Sequence, residues 1–203
     1  MRKRLLFILL CFSVSGFSQK KKKKLDVVSN IEARVLVMKA LGNNYLAKDF
    51  GAFYGFGFGG QLVTPMNFGI GLDYNLLFSD VKYGHQNLSG NLGSQNLTNI
   101  AINLIHRNHL SEDFFLEESA GFSIYRLKSI LYPGNDKYSE GNGGYNLGLN
   151  IVYTLDREGF QQFVFGAKGN GYFSKIYNEN SDIRKYYSRS FLVGFTLGYR
   201  YNF

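Results

Sequence analysis

From about residue 30 to residue 203, apolar residues alternate with polar or small ones. This period of two marks strands that present different faces to different surroundings. Eight segments carry it: 30–40, 51–63, 67–79, 97–107, 113–126, 144–154, 160–174 and 189–203. The connections at 41–50, 80–96, 127–143 and 175–188 are long, and those at 64–66, 108–112 and 155–159 are short, in strict alternation. Pro65 and Pro133 both fall in connections, where a missing N–H costs no ladder bond. The pattern predicts an all-β chain: an eight-stranded antiparallel up-and-down transmembrane β-barrel with short periplasmic turns and longer extracellular loops.

The two faces differ in kind. In 144–154, Tyr145, Leu147, Leu149, Ile151 and Tyr153 oppose Asn146, Gly148, Asn150, Val152 and Thr154. In 51–63, Tyr54, Phe56, Phe58 and Leu62 oppose Gly55, Gly57, Gly59 and Gln61. A soluble protein would cover its wet side with Lys and Glu. A face of Gly, Asn and Ser instead suits the crowded lumen of a narrow barrel, so the apolar face is expected to meet lipid. A soluble lipocalin-like carrier would need the reverse arrangement. Tyr145 and Tyr153, like Phe191 and Tyr199, stand eight residues apart. At ~3.3 Å per residue and a tilt of ~40° this rises about 20 Å, close to the ~25 Å apolar band between interface aromatics.

Composition adds an address. Residues 1–18 have a basic start (Arg2, Lys3, Arg4), a short apolar run, and Gly16 and Ser18 before a cleavage point, the layout of a signal peptide. Residues 19–29 then form a Lys-rich periplasmic leader, and 30–203 the barrel. Of the 23 Lys and Arg, eight lie in the signal's basic start and the run Lys20–Lys24, and the remainder equals the 15 Asp and Glu. The body is therefore neutral, which argues against a nucleic-acid partner. The single cysteine, Cys11, lies in the signal and follows Leu10, so neither a disulfide, a thiolate site nor a lipid anchor is expected.

The segment GYRYNF, 198–203, with Gly198, Tyr201 and a final Phe203, resembles the C-terminal assembly signal of bacterial outer-membrane proteins. Together with the eight-strand pattern, it makes the chain similar to small barrels of the OmpA-transmembrane or OmpX kind, and to the PorT-like β-barrel family. The resemblance implies an integral protein of the outer membrane of a diderm bacterium, with both termini periplasmic. Its partners would be outer-membrane lipid, the barrel-assembly machinery during biogenesis, and an extracellular or envelope protein.

Seven charges fall on the lumen face: Glu32, Arg34, Asp73, Arg107, Glu117, Lys168 and Arg200. Their mixed signs predict an internal salt-bridge network, because unpaired buried charge is costly. Some positions fit poorly. Glu118 lands on the lipid face, either near the periplasmic interface or at a bulge. Ala167, Gly169 and Gly171 make a weak lipid face, and Leu36 and Met38 point inward. His85 lies near Ser79 and Asp80 in sequence, but nothing fixes that trio as a hydrolase site, and HExxH, CxxC and EF-hand patterns are absent. The expectation is thus no catalytic, cofactor or metal residue, and a non-enzymatic barrel with a structural, surface-contact or envelope-assembly role. The alternatives are a small porin-like pore or transport protein and a surface lipid-modifying enzyme. The Tyr-containing polar loops 127–144 and 175–189 are candidate contact surfaces.

Overall fold

The computed structural model describes residues 27–85, 92–131, 137–174 and 179–203. The expected signal and most of the expected Lys-rich leader lie outside the described residues. The strands are β1 (Val28–Leu41), β2 (Phe53–Val63), β3 (Phe68–Asp80), β4 (Leu92–His109), β5 (Phe114–Leu131), β6 (Lys137–Thr154), β7 (Gln161–Phe173) and β8 (Arg189–Asn202). Each pairs antiparallel with its sequence neighbours, and β1 pairs with β8 from Asn30↔Asn202 to Leu41↔Phe191, so the sheet closes. Among the described residues, two short helices sit in connections: α1 (Tyr45–Asp49) after β1 and α2 (Ser181–Ser188) before β8.

Every strand carries a run of outward apolar residues open to the surroundings; Phe58, Ile102, Leu104 and Phe122 are 59–82% exposed. An apolar surface this large and continuous is stable only against hydrocarbon. Closure removes the sheet edges, whose unpaired N–H and C=O groups lipid cannot satisfy. No helix among the described residues is long and apolar enough to cross a membrane; the strands do it.

The three central strands are longer than their alternation suggests. β4, β5 and β6 have 18 residues each, so the end of the expected loop 80–96 and most of the expected loop 127–143 are strand. The connection between β5 and β6 shrinks to residues 132–136, which breaks the expected run of long outer loops. The reason is a reversal of phase. At these upper ends the inward residues, Leu97, Tyr125 and Leu127, are apolar and buried, while the outward ones are Thr98, Arg126, Lys128 and Ser139. Above the hydrocarbon the outer surface meets water, so the polar side must turn outward.

The lumen is filled in layers. At the end where the chain starts, Phe115, Val152 and Val164 form an apolar floor. Above it lies a charged layer. The opposite half is an apolar core containing Leu36, Met38, Phe53, Leu77, Leu97 and Tyr172, roofed by Tyr45, Leu46 and Phe50 of the α1 region with Tyr186 and Tyr187 of α2 against it. Leu36 and Met38 point inward because they pack into this apolar cluster. The small-and-polar inner face expected from sequence is interrupted by this apolar cluster and returns above it, where Gln95 donates to Ser129 at 3.1 Å with both buried.

Candidate functional site

The charged layer is built by register. Glu32 lies directly opposite Arg200 across the β1–β8 seam, and Arg107 opposite Glu117 across β4–β5. The narrow lumen then brings the two pairs together. Arg200, fully buried, donates through Nε and Nη2 to Glu32 Oε2 at 3.0 and 2.7 Å. It also donates through Nη1 and Nη2 to Glu117 at 2.5 and 3.0 Å. Arg107 approaches Glu117 at 3.4 Å, and its guanidinium lies 4.9 Å from the centre of the Phe115 ring.

Arg34 links this floor cluster to a second one. Its Nη1 donates to Glu32 at 2.9 Å and its Nη2 to Asp73. Lys168 reaches across from β7 to Asp73 at 2.8 Å. All seven charges named in the sequence analysis are in this one chain of contacts, four cations against three carboxylates. The glycine face of β2 makes room for it. A Cβ on Gly57 would stand 2.7 Å from Arg34 Nε, and one on Gly59 2.6 Å from Asp73 Oδ1.

Sequence reasoning missed the neutral members. Gln61 accepts from Arg107 at 3.1 Å and donates to Glu117 at 3.1 Å. Asn103 donates to Asp73 at 3.0 Å and accepts from Asn146. Their signal was present as inward Asn and Gln at the heights of the charges. Next to Lys168 and Asp73 the remaining void is about 10 Å³, room for roughly one water. Among the described residues, this layer is packed side chain against side chain across the lumen.

The other assigned residues sit on the outer face. Tyr145, Tyr153 and Tyr199 are outward and partly exposed. Phe191 lies over Gly169 and stacks with Tyr145 at 6.4 Å, while the Tyr145 ring fills the space beside Gly171. The upper part of the weak lipid face of β7 is thus covered by its neighbours' rings, and Ala167 below them is left exposed. Tyr201 and Phe203 are outward at the lower rim with ring centres 5.4 Å apart, whereas Gly198 faces inward against Arg34. Glu118 is outward near the lower rim, beside His106 at 3.3 Å, and the register there is unbroken, so no bulge is involved.

The cap holds the remaining polar contacts. Lys82 Nζ donates to the last carbonyls of α1, Ala47 and Lys48, at 2.8 and 2.9 Å. Asp49 lies 3.2 Å from His85 Nδ1 and accepts from Tyr186 at 3.4 Å. Ser79 is buried in the lumen and Asp80 is exposed outside it, so His85, Ser79 and Asp80 do not assemble. Among the described residues no group of three His, Cys, Asp or Glu is placed to hold a metal.

Solved structures match this architecture over most of its length. The fold is that of the small eight-stranded outer-membrane barrels. Neisserial surface protein A superposes with a TM-score of 0.62 at 14% identity, over 86% of this chain and 97% of its own. Ail, the attachment invasion locus protein of Yersinia pestis, solved with the heparin analogue sucrose octasulfate, gives 0.55 at 11%, over 88% and 100%. OprG of Pseudomonas aeruginosa gives 0.54 at 12%, over 88% and 96%. No family model matches the sequence, and no curated protein is similar to it.

Proposed function

We propose that the protein is a non-enzymatic integral barrel of the outer membrane, with periplasmic termini, that acts through its extracellular rim in surface contact or envelope assembly. The observation that carries this is the blocked lumen. An ion-paired layer, an apolar core and a helical cap lie in series along the axis, which leaves the outer surfaces free to interact. The rim is also where the molecule departs from a minimal barrel. β5 and β6 project above β7, whose last pairing is Gly143↔Phe173, and they present Arg126 and Lys128 to solvent. The long segments sit at this end and the tight turns at the other, which supports the stated orientation.

Reconstitution in planar bilayers tests the reading against the pore alternative. The intact barrel is expected to be silent. Steady unitary conductance from the native protein would overturn the reading.

A further inference from the structure

The lipid-facing surface is not uniform. Across β6, β7, β8 and β1 it is cut by an apolar groove of about 620 Å³. Ala167 and Gly169 of β7 form its floor, and Leu149, Phe195 and Val37 its sides. It is deep because β7 contributes almost no side chain between flanking strands that carry large ones. Its upper end meets the Tyr145–Phe191 ring pair, at the height where aromatics border the headgroups.

Charge is distributed just as unevenly. On the outward positions of β7, β8 and β1 the charged residues are Lys39 and Arg189, both exposed, with no carboxylate among them. Both lie at the extracellular end. Lys39 lines the groove itself and pairs in register with Val193, four residues below Arg189 on β8. Neither forms an ion pair among the described residues. At ~3.3 Å per residue the two cations are offset by about 13 Å along the strands, with Phe191 between their levels. A Lys facing hydrocarbon just below the border extends its ammonium upward to the headgroups. Two outward cations with no ion-pair partner among the described residues, one of them lining an apolar groove, are complementary to a lipid that is anionic at the top and acylated below.

We propose that this face is a binding site for a phosphorylated, multiply acylated lipid of the outer leaflet. Lys39 and Arg189 hold its phosphates, and one acyl chain lies in the groove over Ala167, below the Phe191 ring that covers Gly169. The site rests on the orientation given above, with the long loops outside. It does not depend on the role of the rim.

Native mass spectrometry of the full barrel in detergent tests it, with added bisphosphorylated lipid A and, separately, phosphatidylethanolamine. The native protein is expected to retain lipid A roughly tenfold better, since each cation adds attraction to an anionic headgroup. Lys39→Gln with Arg189→Gln should bring lipid A down to the phosphatidylethanolamine level. Ala167→Leu, which fills the groove, should weaken both. Lys128→Gln, on the projecting sheet, should change neither. Boiled and unboiled gel mobility verifies that each variant is a closed barrel. Equal retention of the two lipids by the native protein, or undiminished lipid A binding by the double variant, would overturn the site. A conducting barrel would defeat the reading of the rim and leave this one standing.

Discussion

Glu117→Gln is the sharpest perturbation of the charged layer. Glu117 is 1% exposed and accepts two hydrogen bonds from Arg200, one from Gln61 at 3.1 Å, and the approach of Arg107 at 3.4 Å. Loss of its charge leaves Arg200 with Glu32 alone. Arg107 is left with Gln61 and the Phe115 ring, and no carboxylate. The floor cluster, neutral with two of each sign, becomes a buried net cation. Removal of one partner from a buried pair costs about 3–5 kcal/mol. With a urea slope of ~1–3 kcal/mol per molar, the midpoint falls by at least ~1 M. Urea titration in detergent, followed by circular dichroism and gel mobility, measures it. Glu117→Gln with Arg107→Gln restores neutrality and should recover at least half of the loss, a coupling that distinguishes charge imbalance from altered packing. A single variant within ~0.5 kcal/mol of the native protein, or a double variant as unstable as the sum of its parts, refutes the reasoning.

Leu97→Ala, in the apolar cluster of the upper lumen, should cost about 2–5 kcal/mol in the same titration; a loosely packed upper lumen would cost far less. Gly57→Val should destabilise by about 1–3 kcal/mol, because its Cβ would stand 2.5 Å from Asn75 Oδ1 and 2.7 Å from Arg34 Nε; a neutral result would mean Arg34 does not lie across β2. Partial burial first, and then the Asp49 carboxylate, raise the Tyr186 phenol above the ordinary tyrosine range. The folded cap thus holds this proton more tightly than the unfolded chain. Its contribution is complete below the ordinary tyrosine pKa and is lost as pH rises through the raised value. Amide exchange in α2 should accelerate there, and Tyr186→Phe should remove that pH dependence.

Strand number, facing and the inward charges were legible in the sequence because alternation is strong wherever one side meets hydrocarbon. Val37, Phe58 and Leu149 face out, and Arg34, Gly57 and Asn150 face in. The tops of β4–β6 were illegible for the opposite reason. With apolar Tyr125 and Leu127 inside and polar Arg126 and Lys128 outside, the membrane pattern inverts, and Gly141 and Gly143 erase it. Of the charged layer, the Glu32–Arg200 and Arg107–Glu117 pairs follow from strand register alone. The contacts across the lumen, Arg200 to Glu117 and Lys168 to Asp73, depend on the barrel's cross-section, which no local pattern encodes. The groove appeared only as a defect, the small residues of β7; its shape needed the rings and side chains of β6, β8 and β1.

The placement of Arg200 has a consequence for assembly. It stands on β8 and serves acids on β1 and β5, so its partners meet only when the last seam zips. A seven-stranded sheet would leave Glu32 to Arg34 and Glu117 to Arg107, two separate ion pairs. Arg200 is the keystone that joins them, so the charged layer becomes one connected unit only in the closed ring.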